Sequence, residues 1–274
     1  MELNLLYLDL LKKTLSYMLW PEPPTPIANI RKKVFLQKFW NNMLSKAFAM
    51  SNRQIAKFNN FSEQDRIEGK IWPAYADTMI GLKRLDNIQF CIEQVLKDGI
   101  EGDLIETGVW RGGGCIFMRG ILAAHSIKNR KVFVADSFEG LPEPDKAKYP
   151  KDIGDEHYKE KALAISLESV KDNFKKYNLL DDQVVFLKGW FEDTLPNAPI
   201  KKLSILRLDG DMYGSTMDAL NSLYPKLSKG GYCIIDDYAL HGCKAAIDDY
   251  RAKNVITDEI IEIDWSGRYW RKTE

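Results

Sequence analysis

The segment GDLIETGVWRGGGCIFMRGILAAHSI, residues 102–127, decides the fold class. Its first half is an apolar strand that runs into a glycine-rich turn, and its second half, from Cys115, has the composition of a buried helix. A second strand, KVFVADSF at 131–138, follows at once. A strand, a helix and a strand in this order predict a right-handed crossover between two parallel strands.

The same alternation continues toward the end of the chain. A strand pair or hairpin is predicted to close it within 260–272. Further strands are predicted within 183–191, 203–211 and 231–237, and further helices within 76–99, 166–179, 215–227 and 243–254. The sequence therefore predicts an α/β fold with a doubly wound, mostly parallel sheet, helices on both faces and an antiparallel edge.

Two segments lie outside this alternation. Residues 1–70 show no sustained strand pattern and are predicted to form a helical N-terminal extension, or arm, of a single domain at 71–274. Leucines within residues 5–18 predict a helix that packs on its own protein or on a second copy, so we expect a homodimer. The long, charged insertion at about 141–164 is either a lid over the strand ends or a solvated loop.

The composition excludes several functions. The chain has 39 basic and 39 acidic residues, so no basic excess predicts a nucleic-acid or anionic-membrane surface. Charged residues interrupt the leucine-rich N-terminus, which disfavours a membrane anchor. The four cysteines lack CxxC spacing, which favours reduced thiols in a cytoplasm. With three scattered histidines a zinc site is disfavoured, whereas a carboxylate-bound cation remains open.

Ligands of open α/β sheets bind outside the carboxyl ends of the strands. The first strand ends at Glu106, Thr107 and Gly108, and the turn that follows matches neither GxGxxG nor a Walker motif. An acidic residue before the glycines suits a ligand with a cationic amine. Asp136, at the end of the second strand, suits the two ribose hydroxyls of an adenosine, or else caps a loop.

The third strand leads into KGWFEDTLP, residues 188–196. Trp190 or Phe191 is a candidate to flank an adenine ring, and the alternative for either is core packing. Glu192 or Asp193 is a candidate to reach the adenine amine.

Three carboxylates are predicted to converge at the next two strand ends. Asp209 ends the fourth strand, and Asp236 and Asp237 end the fifth, in GGYCIIDDYALHG at 230–242. Adjacent buried like charges repel one another unless a positive group compensates them. Mg²⁺ is the natural candidate, with Asp211 as a possible substitute for Asp209. A surface cluster in which each aspartate caps a loop is the alternative.

Four segments resemble the macrocin O-methyltransferase family, and the match spans roughly residues 72–270. They are LIETGVWRGGG at 104–114, VADSFEGLP at 134–142, LRLDGDMYGSTMDAL at 206–220 and GYCIIDDYALHGCKAAIDDYR at 231–251. The resemblance implies transfer of a methyl group from S-adenosylmethionine to a sugar hydroxyl of a natural product, with S-adenosylhomocysteine as the second product. It also implies Mg²⁺ on Asp209, Asp236 and Asp237. The implied cofactor contacts are Thr78, Met79, Glu106, Thr107, Gly108, Asp136, Ser137, Trp190 and Asp209.

Methyl transfer from a sulfonium is an in-line displacement, so the enzyme mainly has to align and deprotonate the hydroxyl. Asp209 is the candidate for metal ligand and general base together, and His241 is the alternative base. Catechol-type relatives use a lysine soon after the first aspartate, where this chain has Met212 and Tyr213. The lid is a candidate to carry three further side chains toward the acceptor: Glu139, His157 and Tyr158.

Three other functions remain to be weighed. A catechol-type methyltransferase acting on a phenol would need the same residues, so only substrates separate it from a sugar methyltransferase. A non-catalytic module that binds the cofactor would need no metal, so the aspartate cluster argues against it. An NAD-dependent oxidoreductase is disfavoured by the missing GxGxxG motif.

Overall fold

The computed structural model describes residues 2–27, 35–59 and 61–274. Part of the predicted N-terminal extension, residues 28–34 and 60, lies outside them. Within the described ranges the helices are α1 (Leu3–Leu15), α2 (Phe35–Ala49), α3 (Glu63–Ile67), α4 (Leu82–Lys97), α5 (Gly113–Ala124), α6 (Leu167–Lys176), α7 (Phe191–Thr194), α8 (Tyr213–Leu223) and α9 (His241–Lys253). The strands are β1 (Thr25–Pro26), β2 (Ala56–Lys57), β3 (Asp103–Thr107), β4 (Val132–Asp136), β5 (Val184–Lys188), β6 (Leu203–Leu208), β7 (Leu227–Ile235), β8 (Ile261–Glu262) and β9 (Arg268–Arg271).

A seven-stranded sheet has the order β5-β4-β3-β6-β7-β9-β8. The strands from β5 to β7 run parallel, and β9 runs antiparallel to both of its neighbours, β7 and β8. This confirms the predicted doubly wound, mostly parallel sheet with a closing hairpin at its edge. From β3 the chain adds β4 and then β5 on one side. The next strand, β6, pairs with the other side of β3, so the strand order reverses between β3 and β6.

Apolar side chains fill both faces of this sheet. On one face, helices α1, α4, α5 and α6 contribute to a single buried cluster, for example through Leu8, Ile88, Phe117 and Phe174. On the other face, α8, α9 and β9 contribute to a second cluster that contains the fully buried Trp270. The sheet is therefore covered by helices on both faces, as predicted.

Helix α1 packs on its own domain along one face. Leu8, Leu11 and Leu15 are buried in the same cluster as α4 and α5. The approach is close at Gly120 of α5, where an added Cβ would lie 2.4 Å from Leu11 Cδ2. The opposite face of α1 stays exposed, with Leu6 and Leu10 about half accessible.

Two predicted boundaries were wrong. The strand predicted within 231–237 starts earlier: β7 begins at Leu227 and runs through the Gly230-Gly231 pair, with Gly230 at φ +87°. The pairing with β6 shifts register there, because glycine inside a strand accommodates a bulge. The helix predicted within 76–99 begins only at Leu82, since residues 76–81 form a loop whose Thr78 N–H donates to the Leu15 carbonyl.

The insertion at 141–164 contains three single-turn 3₁₀ helices, at Pro150–Asp152, His157–Lys159 and Lys161–Leu163. It lies against the carboxyl ends of the strands. None of the helices in the described ranges is long and apolar enough to span a membrane.

Candidate active site

A cleft of about 390 Å³ opens at the carboxyl ends of β3 and β6, where the strand order reverses. Such a reversal is where open α/β sheets bind their ligands. Most of the predicted site residues line this cleft: Thr78, Met79, Glu106, Gly108, Asp136, Ser137, Trp190, Asp209, Asp236 and Asp237. The structure thus brings residues from six separate chain segments to one place.

The glycine-rich turn allows β3 and β6 to end in contact. Gly108 has φ +83°, and an added Cβ would lie 1.7 Å from the carbonyl oxygen of Asp209. An added Cβ at Gly114 would lie 2.4 Å from Glu106 Oε1. Side chains at these two positions would displace backbone or a buried carboxylate, so glycine is required for the shape of the cleft floor.

Glu106 already has a cationic partner within the chain. Arg207, which is fully buried, donates from Nη1 to Glu106 Oε1, and Cys115 Sγ donates to Oε2 at 2.9 Å. Burial raises the pKa of Glu106 to about 7, although Arg207 opposes the shift. The amine that Glu106 was expected to meet is therefore replaced, at least for one of its oxygens, by this guanidinium.

The positive groups beside Asp236 are two arginines. Arg207 Nη2 donates to Asp236 Oδ1, and Arg84 Nη1 donates to Oδ2. Arg84 also donates from Nε to Asp264 Oδ2 at 2.8 Å. Neither arginine was predicted to belong to the site. No local pattern could have found Arg84, because it lies 152 residues from Asp236 in the chain.

Asp209, Asp236 and Asp237 form a cluster whose ligand atoms all lie within 4.8 Å of one another. Arg207 Nη1 donates to Asp209 Oδ2 at 2.8 Å. Asp237 contacts the loop between β6 and α8: its Oδ2 accepts from the Asp211 N–H at 3.3 Å. Burial and the neighbouring Asp211, Asp209 and Asp236 raise the pKa of Asp237 well above its usual range.

The acidic side chains around this cluster raise one another's pKa. Burial and Asp209 raise the pKa of Asp211 to about 7, and His157 partly offsets that shift. Asp211 lines the cleft but lies outside the group of three. Carboxylate oxygens are the ligands that Mg²⁺ prefers, so the donor set of Asp209, Asp236 and Asp237 fits a divalent cation.

Asp136 caps a loop, which was one of its two predicted roles, and its position in the cleft leaves the ribose contact as a prediction. Its Oδ2 accepts from the Val109 N–H at 2.7 Å and its Oδ1 from the Phe138 N–H at 2.6 Å, so it caps the glycine-rich turn and the loop after β4. Burial raises the pKa of Asp136, and these donors oppose the shift. It also lines the cleft, and its Oδ2 has a second lone pair to offer to a ligand hydroxyl.

Trp190, Phe191 and Glu192 all line the same end of the cleft, whereas Asp193 does not. Trp190 is the N-cap residue of the short helix α7 and is only partly buried. Both aromatic rings therefore remain candidates to contact an adenine.

The lid contributes one of the three side chains that were suggested for it. His157 lines the cleft, whereas Glu139 and Tyr158 do not. Burial lowers the pKa of His157, but the Asp155 carboxylate, 3.0 Å from its Nδ1, outweighs this and the pKa is raised. Further lid residues, none of them predicted, also line the cleft: Leu141, Pro142, Glu143, Asp145, Lys148, Tyr149, Asp152 and Leu163.

Two predicted site residues are not brought to the cleft. His241, the alternative base, begins α9 with an exposed side chain and does not line the cavity. Thr107 is almost fully buried, and its carbonyl accepts from the Asp209 N–H at 2.9 Å, so it contributes backbone to the floor.

Comparison with known proteins gives a consistent result. A sequence profile of the family described as Macrocin-O-methyltransferase (TylF) matches residues 4–272. Demethyldecarbamoylnovobiocin O-methyltransferase of Streptomyces niveus is 54% identical over 220 residues, which cover 78% of this chain and 83% of that protein. Mycinamicin III 3''-O-methyltransferase of Micromonospora griseorubida is 45% identical over 271 residues, covering 98% and 96%.

A third relative, the 8-demethyl-8-(2,3-dimethoxy-alpha-L-rhamnosyl)-tetracenomycin-C 4'-O-methyltransferase of Streptomyces olivaceus, is 47% identical and covers 98% of this chain and 93% of its own. The solved structure of the O-methyltransferase NovP superimposes with a TM-score of 0.84 at 46% identity, covering 99% of this chain and 100% of that one. The calicheamicin methyltransferase CalS11, at 15% identity and a TM-score of 0.58, shares the fold.

Proposed function

This chain belongs to the macrocin O-methyltransferase family and is an S-adenosylmethionine-dependent O-methyltransferase, and we propose that it methylates a sugar hydroxyl of a glycosylated natural product with the help of Mg²⁺. The observation that carries the proposal is the cluster of Asp209, Asp236 and Asp237 at the edge of the cleft. It lies at the ends of β6 and β7, beside the end of β3, where the cofactor is proposed to bind.

The proposed cofactor half of the cleft is formed by the ends of β3, β4 and β5. Asp136 would accept hydrogen bonds from the ribose hydroxyls, and Trp190 or Phe191 would contact the adenine. The loop at Thr78 and Met79 and the turn at Gly108 would enclose the methionine part. Support comes from their shared position along one cavity.

The proposed acceptor half lies between the aspartate cluster and the lid. Mg²⁺ held by Asp209, Asp236 and Asp237 would lower the pKa of the acceptor hydroxyl and orient it. Asp209 is proposed as the general base, because it lines the cleft on the acceptor side and its side chain is 26% exposed. Arg207, which is buried and donates to Asp209 Oδ2, would hold this carboxylate in position.

A sugar hydroxyl is proposed over a phenol because of the relatives. The tetracenomycin relative is named for a rhamnosyl-bearing acceptor. The lysine of catechol-type enzymes is also absent, since Met212 and Tyr213 follow the aspartate. The test is a panel of three acceptors: a deoxysugar glycoside, its aglycone and a catechol. Methylation of the glycoside alone supports the proposal, and methylation of the catechol or the aglycone contradicts it.

The metal is tested on the same reaction. Activity should be lost in a chelator and restored by added Mg²⁺. Asp237→Asn should weaken calorimetrically measured Mg²⁺ binding by at least about tenfold, with S-adenosylhomocysteine affinity little changed. Asp172→Asn, an exposed aspartate on α6, is the matched control and should behave like the wild type. Full activity in the chelator would contradict the metal assignment.

We also propose a homodimer that uses the exposed face of α1. Leu5, Leu6 and Leu10 are 44%, 48% and 55% exposed on the side of the helix that does not enter the core. Light scattering of the full chain should give twice the monomer mass, and Leu6→Glu with Leu10→Glu should give the monomer. Val255→Glu, at an apolar residue exposed elsewhere, is the control. A monomeric wild type would contradict this part of the proposal.

The cytoplasm is the proposed location. All four cysteines are buried and unpaired, which fits a reducing compartment.

A further inference from the structure

Helix α8 begins directly after the loop that carries Asp209, and it lacks a cap of its own. Its N-cap residue is Met212, whose side chain makes no capping hydrogen bond. The first N–H groups of any helix have no partner within the helix, and their exposure to an apolar setting is costly. An acceptor from elsewhere in the chain is therefore needed.

The lid supplies that acceptor. Asp152 accepts from the Tyr213 N–H at 2.7 Å through Oδ1 and from the Gly214 N–H at 2.8 Å through Oδ2. It is 3% exposed, although it lies in the middle of a charged insertion. A carboxylate at this end of a helix is also favoured by the helix dipole. Both oxygens of one buried lid side chain are thus used to cap α8.

The rest of the lid is shaped to fit the same helix end. Tyr149 packs so closely on Gly214 that an added Cβ there would lie 2.4 Å from the tyrosine ring. The Tyr149 hydroxyl donates to Asp218 Oδ1, one turn further along α8, at 2.6 Å. These contacts hold the lid on the first two turns of α8.

The segment between β6 and α8 is short and unusually constrained. Asp209 is held by its N–H bond to the Thr107 carbonyl, and Asp211 takes a left-handed conformation with φ +56°. A non-glycine residue in that region is strained and persists only where its surroundings fix it. Asp211 is followed, two residues later, by the first turn of α8, which Asp152 caps.

We propose that Asp152 is a positioning residue that couples the closed lid to the loop carrying the catalytic aspartate. The cap fixes the start of α8, and the start of α8 fixes the geometry of residues 209–212. Lid opening removes the cap and loosens the metal-binding loop, and by linkage a metal bound at Asp209 holds the lid closed. The inference rests on the proposed metal site.

The test uses the full chain, with Mg²⁺ as the probe and two readouts: Mg²⁺ affinity by calorimetry, and the rate of tryptic cleavage after the lid lysines Lys146, Lys148, Lys151, Lys159 and Lys161. Mg²⁺ should slow cleavage of the wild type. Asp152→Ala should weaken Mg²⁺ binding by about fivefold and abolish the protection. Asp152→Asn, which retains one acceptor oxygen, should give an intermediate result.

A second variant approaches the same contact without removing a polar group. Gly214→Ala keeps the Asp152 carboxylate and favours the helix, but its Cβ would lie 2.4 Å from Tyr149 Cδ2 and 3.2 Å from Asp152 Oδ2. It should therefore reproduce the effects of Asp152→Ala. The control is Glu156→Gln, which removes an exposed ion pair within the lid, between Glu156 and Lys159, and does not touch α8. It should leave both readouts as in the wild type.

The outcomes separate this inference from the proposed function. Absence of Mg²⁺ binding to the wild type would overturn the metal site and the coupling together. Normal Mg²⁺ binding to the wild type, with Asp152→Ala and Gly214→Ala indistinguishable from it in both readouts, would overturn the coupling alone. Equal effects in Glu156→Gln would also overturn it, since the cap would then not be the cause.

Discussion

At the residue scale, Arg207 is the side chain on which the floor of the site depends. It is fully buried and pairs with Glu106, Asp209 and Asp236, which belong to three adjacent strand ends. Desolvation opposes its charge, but these carboxylates outweigh it and raise the pKa of Arg207 well above its usual range. A buried cation with several partners leaves uncompensated charges behind when it is removed.

We therefore expect Arg207→Met to lower the free energy of unfolding by about 3–5 kcal/mol, measured by urea denaturation. Arg119→Met is the control, because its partner Asp181 has a side chain 38% exposed and can be solvated when the arginine is lost. The control should lose clearly less. A loss below about 1 kcal/mol in Arg207→Met would mean that the network contributes little.

Asp136 gives a prediction for pH. Burial raises its pKa, and only the ionised carboxylate accepts hydrogen bonds through both oxygens from ribose hydroxyls and the turn. Affinity for S-adenosylhomocysteine should therefore fall as pH is lowered, beginning at a higher pH than for an ordinary aspartate. Calorimetry between about pH 8 and about pH 5 measures this, and Asp136→Asn should bind weakly without that dependence. Identical pH profiles for the two proteins would exclude Asp136 as the cause.

Residue types at strand ends could be predicted from the sequence because parallel strands expose their carboxyl ends on one edge. Alternation placed Asp209, Asp236 and Asp237 there, and the structure brings their ligand atoms together. Arg84 and Asp264 could not be found in this way, since their pairing joins positions 180 residues apart. His241 was favoured only by its nearness in sequence to the aspartates, and that nearness does not carry it into the cleft.

At the scale of elements, α1 belongs to the core of the domain as well as to its surface. Three of its leucines are buried between α4 and α5, on the face opposite the exposed leucines. The amphipathic pattern predicted a packed helix, but it could not tell which face met the domain and which was left over. That choice depends on the shape of α5 at Gly120.

Leu11→Ala should therefore destabilise the whole domain, by about 2–5 kcal/mol in urea denaturation, because it opens a cavity against α5. Leu3→Ala, at an 83% exposed leucine of the same helix, should change the stability by at most about 0.5 kcal/mol. Equal effects of the two substitutions would show that α1 does not pack in the way described.

The spacing of apolar residues predicted most strands and helices correctly. It gave wrong boundaries where glycines or loops adjoin an element. The Gly230-Gly231 pair has the composition of a turn but continues a strand. The reason is its pairing with Lys272, directly after β9: the Gly230 N–H donates to the Lys272 carbonyl, and the Lys272 N–H donates to the Gly231 carbonyl. The lid composition likewise resembles a solvated loop. The lid nevertheless packs on the start of α8, through Asp152 and Tyr149, and no local pattern in 141–164 reveals these contacts.

At the scale of the whole molecule, the cleft brings the proposed cofactor contacts and the acidic cluster together, at the point where the strand order reverses. The ends of β3 and β4 carry the proposed cofactor contacts, and the ends of β6 and β7 carry the acidic cluster. The lid closes over both halves and contacts each: Trp110 Nε1, after β3, donates to the Ala162 carbonyl at 2.8 Å, while Asp152 caps α8. Cofactor, metal and acceptor would thus share one enclosed space.

The central claim is that one cleft holds the cofactor and the metal on separate sets of carboxylates. The most direct test is calorimetric titration of S-adenosylhomocysteine and of Mg²⁺ into the wild type, Asp136→Ala and Asp237→Asn. We predict that the wild type binds both, that Asp136→Ala loses the cofactor and keeps Mg²⁺, and that Asp237→Asn loses Mg²⁺ and keeps the cofactor. A wild type that binds neither ligand, or variants that retain both, would contradict the account.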